Sequence, residues 1–212
     1  MNEIIVKALF ETLQMVIVST IFSVILGFIP AIILTITAKD GLRPNKFVYN
    51  ILDFIVNTLR SFPFVILMVI VIPLTRALVG KSIGTEAAMV PLTIAAAPFV
   101  ARIIESSLRE VDKGVIEAAK SFGASNTQII FKVMLKEAVP SIVSGITLTI
   151  ISIVGYSAMA GAIGGGGLGD VAIRYGYQRF QTDMMVVTCI ILIIVVQVLQ
   201  ILGNYLYNKL SK

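Results

Sequence analysis

Residues 12–38 form an apolar run with no charged side chain, and similar charge-free stretches recur at residues 61–75, 87–101, 138–169 and 184–208. A helix that crosses a bilayer needs about 20 mostly apolar residues, and a soluble domain has nowhere to bury several such runs. Composition agrees: 57% of the 212 residues are hydrophobic and 14% are charged, against roughly 25% charged in an ordinary soluble domain. The chain is therefore read as an all-α membrane protein, one transmembrane domain over residues 1–212. Five spans are predicted, at approximately residues 12–38, 51–75, 84–104, 138–162 and 184–208. The second and third are the weakest, and a re-entrant pair there would reduce the count to three. The first run is too long for a cleavable signal peptide and its leader carries Glu3, Lys7 and Glu11.

The excess of basic residues sets the orientation. Lys39, Arg43 and Lys46 follow span one. Arg102, Arg109, Lys113, Lys120, Lys132 and Lys136 follow span three, and Lys209 and Lys212 end the chain. The positive-inside rule places these in the cytoplasm, so the N-terminus is expected outside and the C-terminus inside. In this setting the net charge of +5 reflects membrane topology and gives no reason to expect nucleic acid. Pro30, Pro63, Pro73, Pro91 and Pro98 interrupt the first three spans. One proline reads most simply as a packing kink. Five of them free enough backbone groups to suggest a bent, transport-like bundle, because such groups need protein or a wet cavity to satisfy them.

Histidine is absent and the single cysteine, Cys189, lies in an apolar run, so neither the commonest general base nor a thiolate metal site is available. An intramembrane enzyme would need convergent catalytic groups within the spans. A proton- or ion-coupled carrier would place carboxylates deep in them, whereas spans one, four and five contain none. Gly80-Lys81-Ser82 ends like a phosphate loop, but Thr75 stands where that loop needs its first glycine. The glycine run at 161–169 follows no strand pattern and is expected outside. No ATP site is therefore expected in this chain.

The polar segment from Arg102 to Glu137, with a coupling core at residues 110–137, carries most of the information. Asp112 is placed to cap a helix whose face would hold Val115, Ile116, Ala119 and Phe122. Gly123 would end that helix, and Ser125 with Gln128 form a capping-box pattern for a second. The apolar face of the second would be Ile129, Ile130, Val133 and Met134. The segment reads as a cytoplasmic helix–turn–helix, suited either to docking on a partner or to resting on lipid headgroups.

Glu117-Ala118-Ala119, then Gly123, then apolar residues and a proline, resembles the EAA loop of ABC importer permeases. In that family the loop forms a coupling helix that fits a cleft in the ATPase subunit. This chain departs where the family pattern continues Leu-Pro: it has Leu135-Lys136, and its proline is Pro140. Residues 164–180, GGGGLGDVAIRYGYQRF, closely resemble a segment of the methionine-importing ABC permeases, as does LRSFPF at 59–64. The likeness covers essentially the whole chain. It implies a non-catalytic permease that works as a homodimer with two ATPase subunits, which use ATP and Mg, and with an external methionine-binding protein. A permease for another small amino acid or peptide-like solute is the alternative within the family, and an ATP-independent secondary transporter the alternative outside it.

Three further sets of residues are singled out. By composition Gly164, Gly165, Gly166 and Gly167 are a flexible external turn; contact with a substrate-delivering protein, or an outer gate, is the functional alternative, and the resemblance favours it. Gly161 and Gly165 also match a small-residue packing pattern. Ser152, Tyr156, Ser157 and Met159 in span four offer a path for a zwitterion with a thioether tail. Met159 could narrow the pore or could simply pack against lipid or core. Arg60 either snorkels to the interface or pairs with Glu105 or Asp53.

Overall fold

The computed structural model describes residues 2–211. Among them every regular element is helical. The chain runs through α1 (Asn2–Thr37), α2 (Lys46–Arg60), α3 (Phe64–Ile70), α4 (Ile72–Val79), α5 (Thr85–Arg109), α6 (Lys113–Ser121), α7 (Asn126–Gln128), α8 (Leu135–Ala162), α9 (Gly167–Val171) and α10 (Thr182–Leu210). π-Helical turns at Ile129–Met134 and Ala172–Tyr177 join α7 to α8 and extend α9. Among the described residues four helical stretches are long and apolar enough to cross a membrane: Glu3–Thr37, Thr85–Arg109, Asn126–Ala162 and Thr182–Leu210.

The predicted second span is not one continuous helix, and its bent pair fits either a broken span or a re-entrant loop. α2 and α3 qualify only as a pair and bend by 102° between Arg60 and Phe64. Pro63 lacks a backbone donor and disfavours helical geometry at Phe62, so the helix stops there. The Ser61 hydroxyl and N–H both bond the Asn57 carbonyl and close the end. A second interruption at Val71 puts Pro73 in the first turn of α4, where a missing N–H costs nothing. Pro30, Pro91 and Pro98 lie inside continuous helices instead.

The centre of the bundle is the pairing of α1 with α5. Ser19, Ser23 and Gly27 recur every four residues on α1 and let the two backbones approach closely. The Ser19 hydroxyl donates to the Met89 carbonyl (3.3 Å), and the Ser23 hydroxyl is shared between the Ser19 carbonyl on its own helix (2.6 Å) and the Thr93 carbonyl (3.2 Å). A Cβ on Gly27 would stand 2.6 Å from the Ala97 carbonyl oxygen. Without a hydrophobic drive between helices in lipid, such close packing and these hydrogen bonds are what hold the pair.

Three apolar clusters are stacked along the bundle. The middle one holds Met15, Leu92 and Ile153. One end holds Ala31, Ile104, Leu108, Ile129 and Met134. The other end holds Ile5, Ala8, Leu168 and Met184. α10 contributes Met184, Thr188 and Gly203 to the interior and leaves Ile193, Val198 and Ile201 exposed, as a lipid-facing helix does. α8 touches α10 where Gly203 lies directly on the Thr147 side chain.

Candidate functional site

At one end of the bundle the 112–128 segment forms the caps that its sequence predicts. The Asp112 carboxylate accepts from the N–H groups of Gly114 (2.7 Å) and Val115 (3.3 Å) and so caps α6. The helix ends in a two-bond C-terminal motif: Ala124 N–H donates to the Ala119 carbonyl and Gly123 N–H to Lys120. Gly123 has φ +78°, which a side chain would strain. The capping box is complete, with Ser125 N–H on Gln128 Oε1 (2.8 Å) and Gln128 N–H on Ser125 Oγ (3.3 Å).

Two details of this segment differ from expectation. The predicted second helix is the start of the long helix that becomes α8, since residues Asn126–Ala162 are helical throughout. Pro140 sits inside it. The expected apolar face of α6 is also split. Ile116 and Ala119 rest half-buried on the cluster around Leu108 and Ile129, but Val115 is exposed and Phe122 is 91% exposed. Phe122 lies past the last turn, where the chain has already changed direction. Glu117, Ala118 and Gly123 are exposed beside it. Every residue of α6 is half-buried or exposed, so an ordered helix stands on the bundle with its outer face uncovered.

Behind it lies a polar network absent from the sequence reading. Glu105, on α5, is 1% exposed. Its carboxylate meets Arg102 (2.6 Å) and Arg109 (3.5 Å) and accepts from the Tyr49 hydroxyl (3.3 Å). Arg102 reaches across to Asp53 (2.6 Å) and Asn57 (3.0 Å) on α2, and Arg109 reaches Asp40 (3.1 Å) after α1. Three elements are thus tied by five charged groups. The expected ionic partners of Arg60 are therefore occupied by Arg102. Arg60 lies over the Phe99 ring, its guanidinium carbon 4.9 Å from the centroid. Its Nε is buried and has no acceptor among the described residues.

The glycine segment at the opposite end is ordered rather than a loose turn. Gly164, Gly166 and Gly167 have φ of +90°, +77° and +79°, and Gly165 and Gly167 are buried. α1 clasps the loop: Glu11 Oε2 accepts from Gly167 N–H (2.8 Å) and Thr12 Oγ1 from Leu168 N–H (2.9 Å). Gly84 N–H donates to the Gly164 carbonyl. α9 then folds back on α8, with Gly161 against the Asp170 backbone and Gly169 against Ala158. Gly161 serves close packing as expected, but against the Asp170 backbone; the Gly165 N–H instead donates to the Ala160 carbonyl.

Between the two ends, α8 presents an exposed stripe of Ser144, Leu148, Ser152, Gly155 and Met159. Met159 is 48% exposed. Tyr156 borders the stripe, half-buried and stacked on Phe64 with centroids 4.8 Å apart. Ser157 points the other way: it is buried and its hydroxyl donates to the Val154 carbonyl (2.7 Å). The structure brings Met159 and Tyr156 to one surface and separates Ser157 from it. Ser152, exposed, occupies the position on that surface.

Comparison with known proteins gives this architecture a context. The chain is 48% identical over 210 residues to the probable D-methionine transport system permease protein MetI of Vibrio cholerae, covering 99% of this chain and 93% of that protein. It is 46% identical over 180 residues to the methionine import system permease protein MetP of Bacillus subtilis, covering 85% and 81%. It superposes on a chain of the inward-facing MetNI methionine ABC transporter with a TM-score of 0.97, at 42% identity, covering 100% of this chain and 98% of that one. A crystallised amino acid ABC transporter shares the fold at 18% identity and a TM-score of 0.81. Residues 23–212 match the family profile described as binding-protein-dependent transport system inner membrane component, and the chain belongs to that family.

Proposed function

We propose that this chain is the permease subunit of an ATP-driven importer that carries methionine into the cytoplasm. The observation that carries the reading is near-complete, 42–48% identical coverage by proteins that are named for methionine transport, in sequence and in structure. In this reading two copies of the chain form the permease. Two ATPase subunits, which use ATP and Mg, dock on it, and an external binding protein delivers the substrate. The N-terminus and the glycine loop lie outside, and α6 and the C-terminus lie in the cytoplasm. The distribution of basic residues supports that orientation.

Within this scheme α6 is the coupling helix. Its uncovered outer face supports the assignment: Glu117, Ala118, Phe122 and Gly123 are all exposed on a helix fixed at both ends by its caps. Alanine permits close approach of a partner, and Phe122 offers an aromatic anchor of the kind that dominates interfaces. Glu117 offers an acceptor for partner donors. Met159 and Tyr156 line the substrate route on the α8 stripe, and Gly164 to Gly167 form the contact with the binding protein or the outer gate.

The test is uptake of labelled methionine by proteoliposomes that contain this chain, its ATPase and the binding protein. Wild type takes up methionine only with ATP. Gly123→Pro, which cannot adopt the required φ, loses assembly and uptake together, and Glu117→Ala loses uptake severalfold. An assembled, ATP-hydrolysing complex without methionine uptake removes the substrate assignment. A chain that binds no ATPase removes the whole reading.

A further inference from the structure

Arg60 is a cation at the break between α2 and α3, in the bent apolar pair of helices. Membrane-depth cations are costly and are normally paired. Here the nearby carboxylates serve Arg102: Asp53 at 2.6 Å and Glu105 at 2.6 Å. Among the described residues no carboxylate lies within 4 Å of Arg60, and its buried Nε–H has no acceptor. What holds the side chain is the face of Phe99, 4.9 Å away. This contact attracts a guanidinium without using its in-plane donors. The fork that would grip a carboxylate is therefore left free.

Phe99 also forms part of a second feature. A cavity of about 150 Å³ in the seam between α5 and α8 is lined by Phe99, Ile103, Leu148, Thr149, Ser152 and Tyr156. The Ser152 hydroxyl gives its proton to the Leu148 carbonyl (3.0 Å), which leaves its oxygen free to accept. Two aromatic rings and an acceptor hydroxyl thus line the cavity, and one of those rings, Phe99, carries the unpaired guanidinium. A thioether favours aromatic edges, an ammonium needs an acceptor, and a carboxylate needs a donor fork.

We propose that Arg60 receives the α-carboxylate of the transported amino acid at a transient site in the seam beside Phe99, with Ser152 on the ammonium side. This rests on the importer reading above. A dehydrated carboxylate needs strong donors to enter an apolar passage. An unpaired arginine supplies them, whereas one locked in an ion pair would not. The site is weak by construction, because one charged contact on an open surface permits release. The same fork also fits a phospholipid phosphate, and the experiment separates the two.

Proteoliposomes containing this chain, its ATPase and its binding protein are assayed for methionine uptake and for ATP hydrolysis, with Arg60→Gln, Arg60→Lys and Phe99→Leu. Loss of one charge-assisted contact predicts an uptake decrease of about tenfold in R60Q. ATP hydrolysis stays within about twofold, since the ATPase contacts lie on α6. R60K keeps most of the uptake, and F99L, which frees the guanidinium from its support, falls between. If R60Q fails to assemble, F99L carries the test alone: unchanged uptake in it overturns the proposal. Equal uptake in R60Q and wild type overturns the inference and leaves the importer reading intact. A parallel loss of uptake and hydrolysis makes Arg60 a structural brace and also overturns it. So does a phospholipid retained by wild type but lost from R60Q in native mass spectra, together with the uptake defect. No uptake by wild type overturns the importer reading and this inference with it.

Discussion

Removing Glu105 tests whether the charged network ties α2 to α5. Glu105 is 1% exposed and serves Arg102, Arg109 and Tyr49 at once. Breaking a buried ion pair by deleting one partner costs about 3–5 kcal/mol when the other charge is left alone. Here neither guanidinium is left alone. Arg102 retains Asp53 and Asn57, and Arg109 retains Asp40. Both are also partly solvated, at 24% and 41% exposure, which screens the loss. The contact at 2.6 Å is then the main term, about 1.5–3 kcal/mol for a hydrogen bond between charged groups. With the weaker contacts and the small void, Glu105→Ala should cost about 3 kcal/mol. For a chain of this size that lowers the melting temperature by about 6–12 °C. Glu105→Gln keeps the shape and most hydrogen bonds, so it should cost about 1 kcal/mol. The assay is fluorescence-monitored melting of the purified protein in detergent, with a double-mutant cycle against Arg102→Ala. A drop of less than about 2 °C for E105A, or a coupling energy below about 0.5 kcal/mol, refutes the reasoning.

Two further changes probe the packing. Gly27→Val should force α1 from α5, because its Cβ would meet the Ala97 carbonyl oxygen at 2.6 Å and the Ala101 nitrogen at 2.9 Å. The expected loss is about 1–3 kcal/mol by the same melting assay, and an unchanged midpoint would show that the helices are not held backbone to backbone there. Thr12→Val leaves the buried Leu168 N–H without its acceptor at a cost of about 1–3 kcal/mol. Hydrogen exchange in the peptide spanning residues 164–171 should accelerate at least about fivefold, and a rate equal to wild type would mean the clasp from α1 is idle.

The parts of this fold that were legible in the sequence are those fixed by local rules. Asp112, Gly123 and the Ser125–Gln128 pair each specify a cap through their own backbone geometry, and each cap is present. Long charge-free runs likewise announce spans without help from tertiary structure. The bend between α2 and α3 was only half visible, because Pro63 marks a stop but says nothing of the angle at which the chain resumes. Ser19, Ser23 and Gly27 carry a readable period of four, yet the period became meaningful only with Ala97 opposite. The charged network depends on Asp53 and Arg102 meeting across 49 positions in sequence, which no local pattern encodes. The burial of the glycine run was hidden for a related reason: by composition glycine permits a flexible turn, but it also permits the burial seen at Gly165 and Gly167. Side-chain direction was the remaining error, since Ser157 and Ser152 differ by a rotation that a helical pattern resolves only once one face is known to be covered.

The continuity of Asn126–Ala162 has a mechanical consequence. At 1.5 Å per residue this rod is about 55 Å long. It is gripped where Gly203 seats on Thr147 and where the side chain of Ile103 seats on Gly145, so those contacts are a natural fulcrum. From Thr147 the arm toward Asn126 is about 32 Å, and the arm toward Met159 is about 18 Å. A tilt of about 5° would then move the Asn126 end by roughly 3 Å and Met159 by roughly 1.5 Å in the opposite sense. The unequal arms trade travel for force: a push applied beside α6 arrives at Met159 about halved in distance, nearly doubled in strength and reversed in direction.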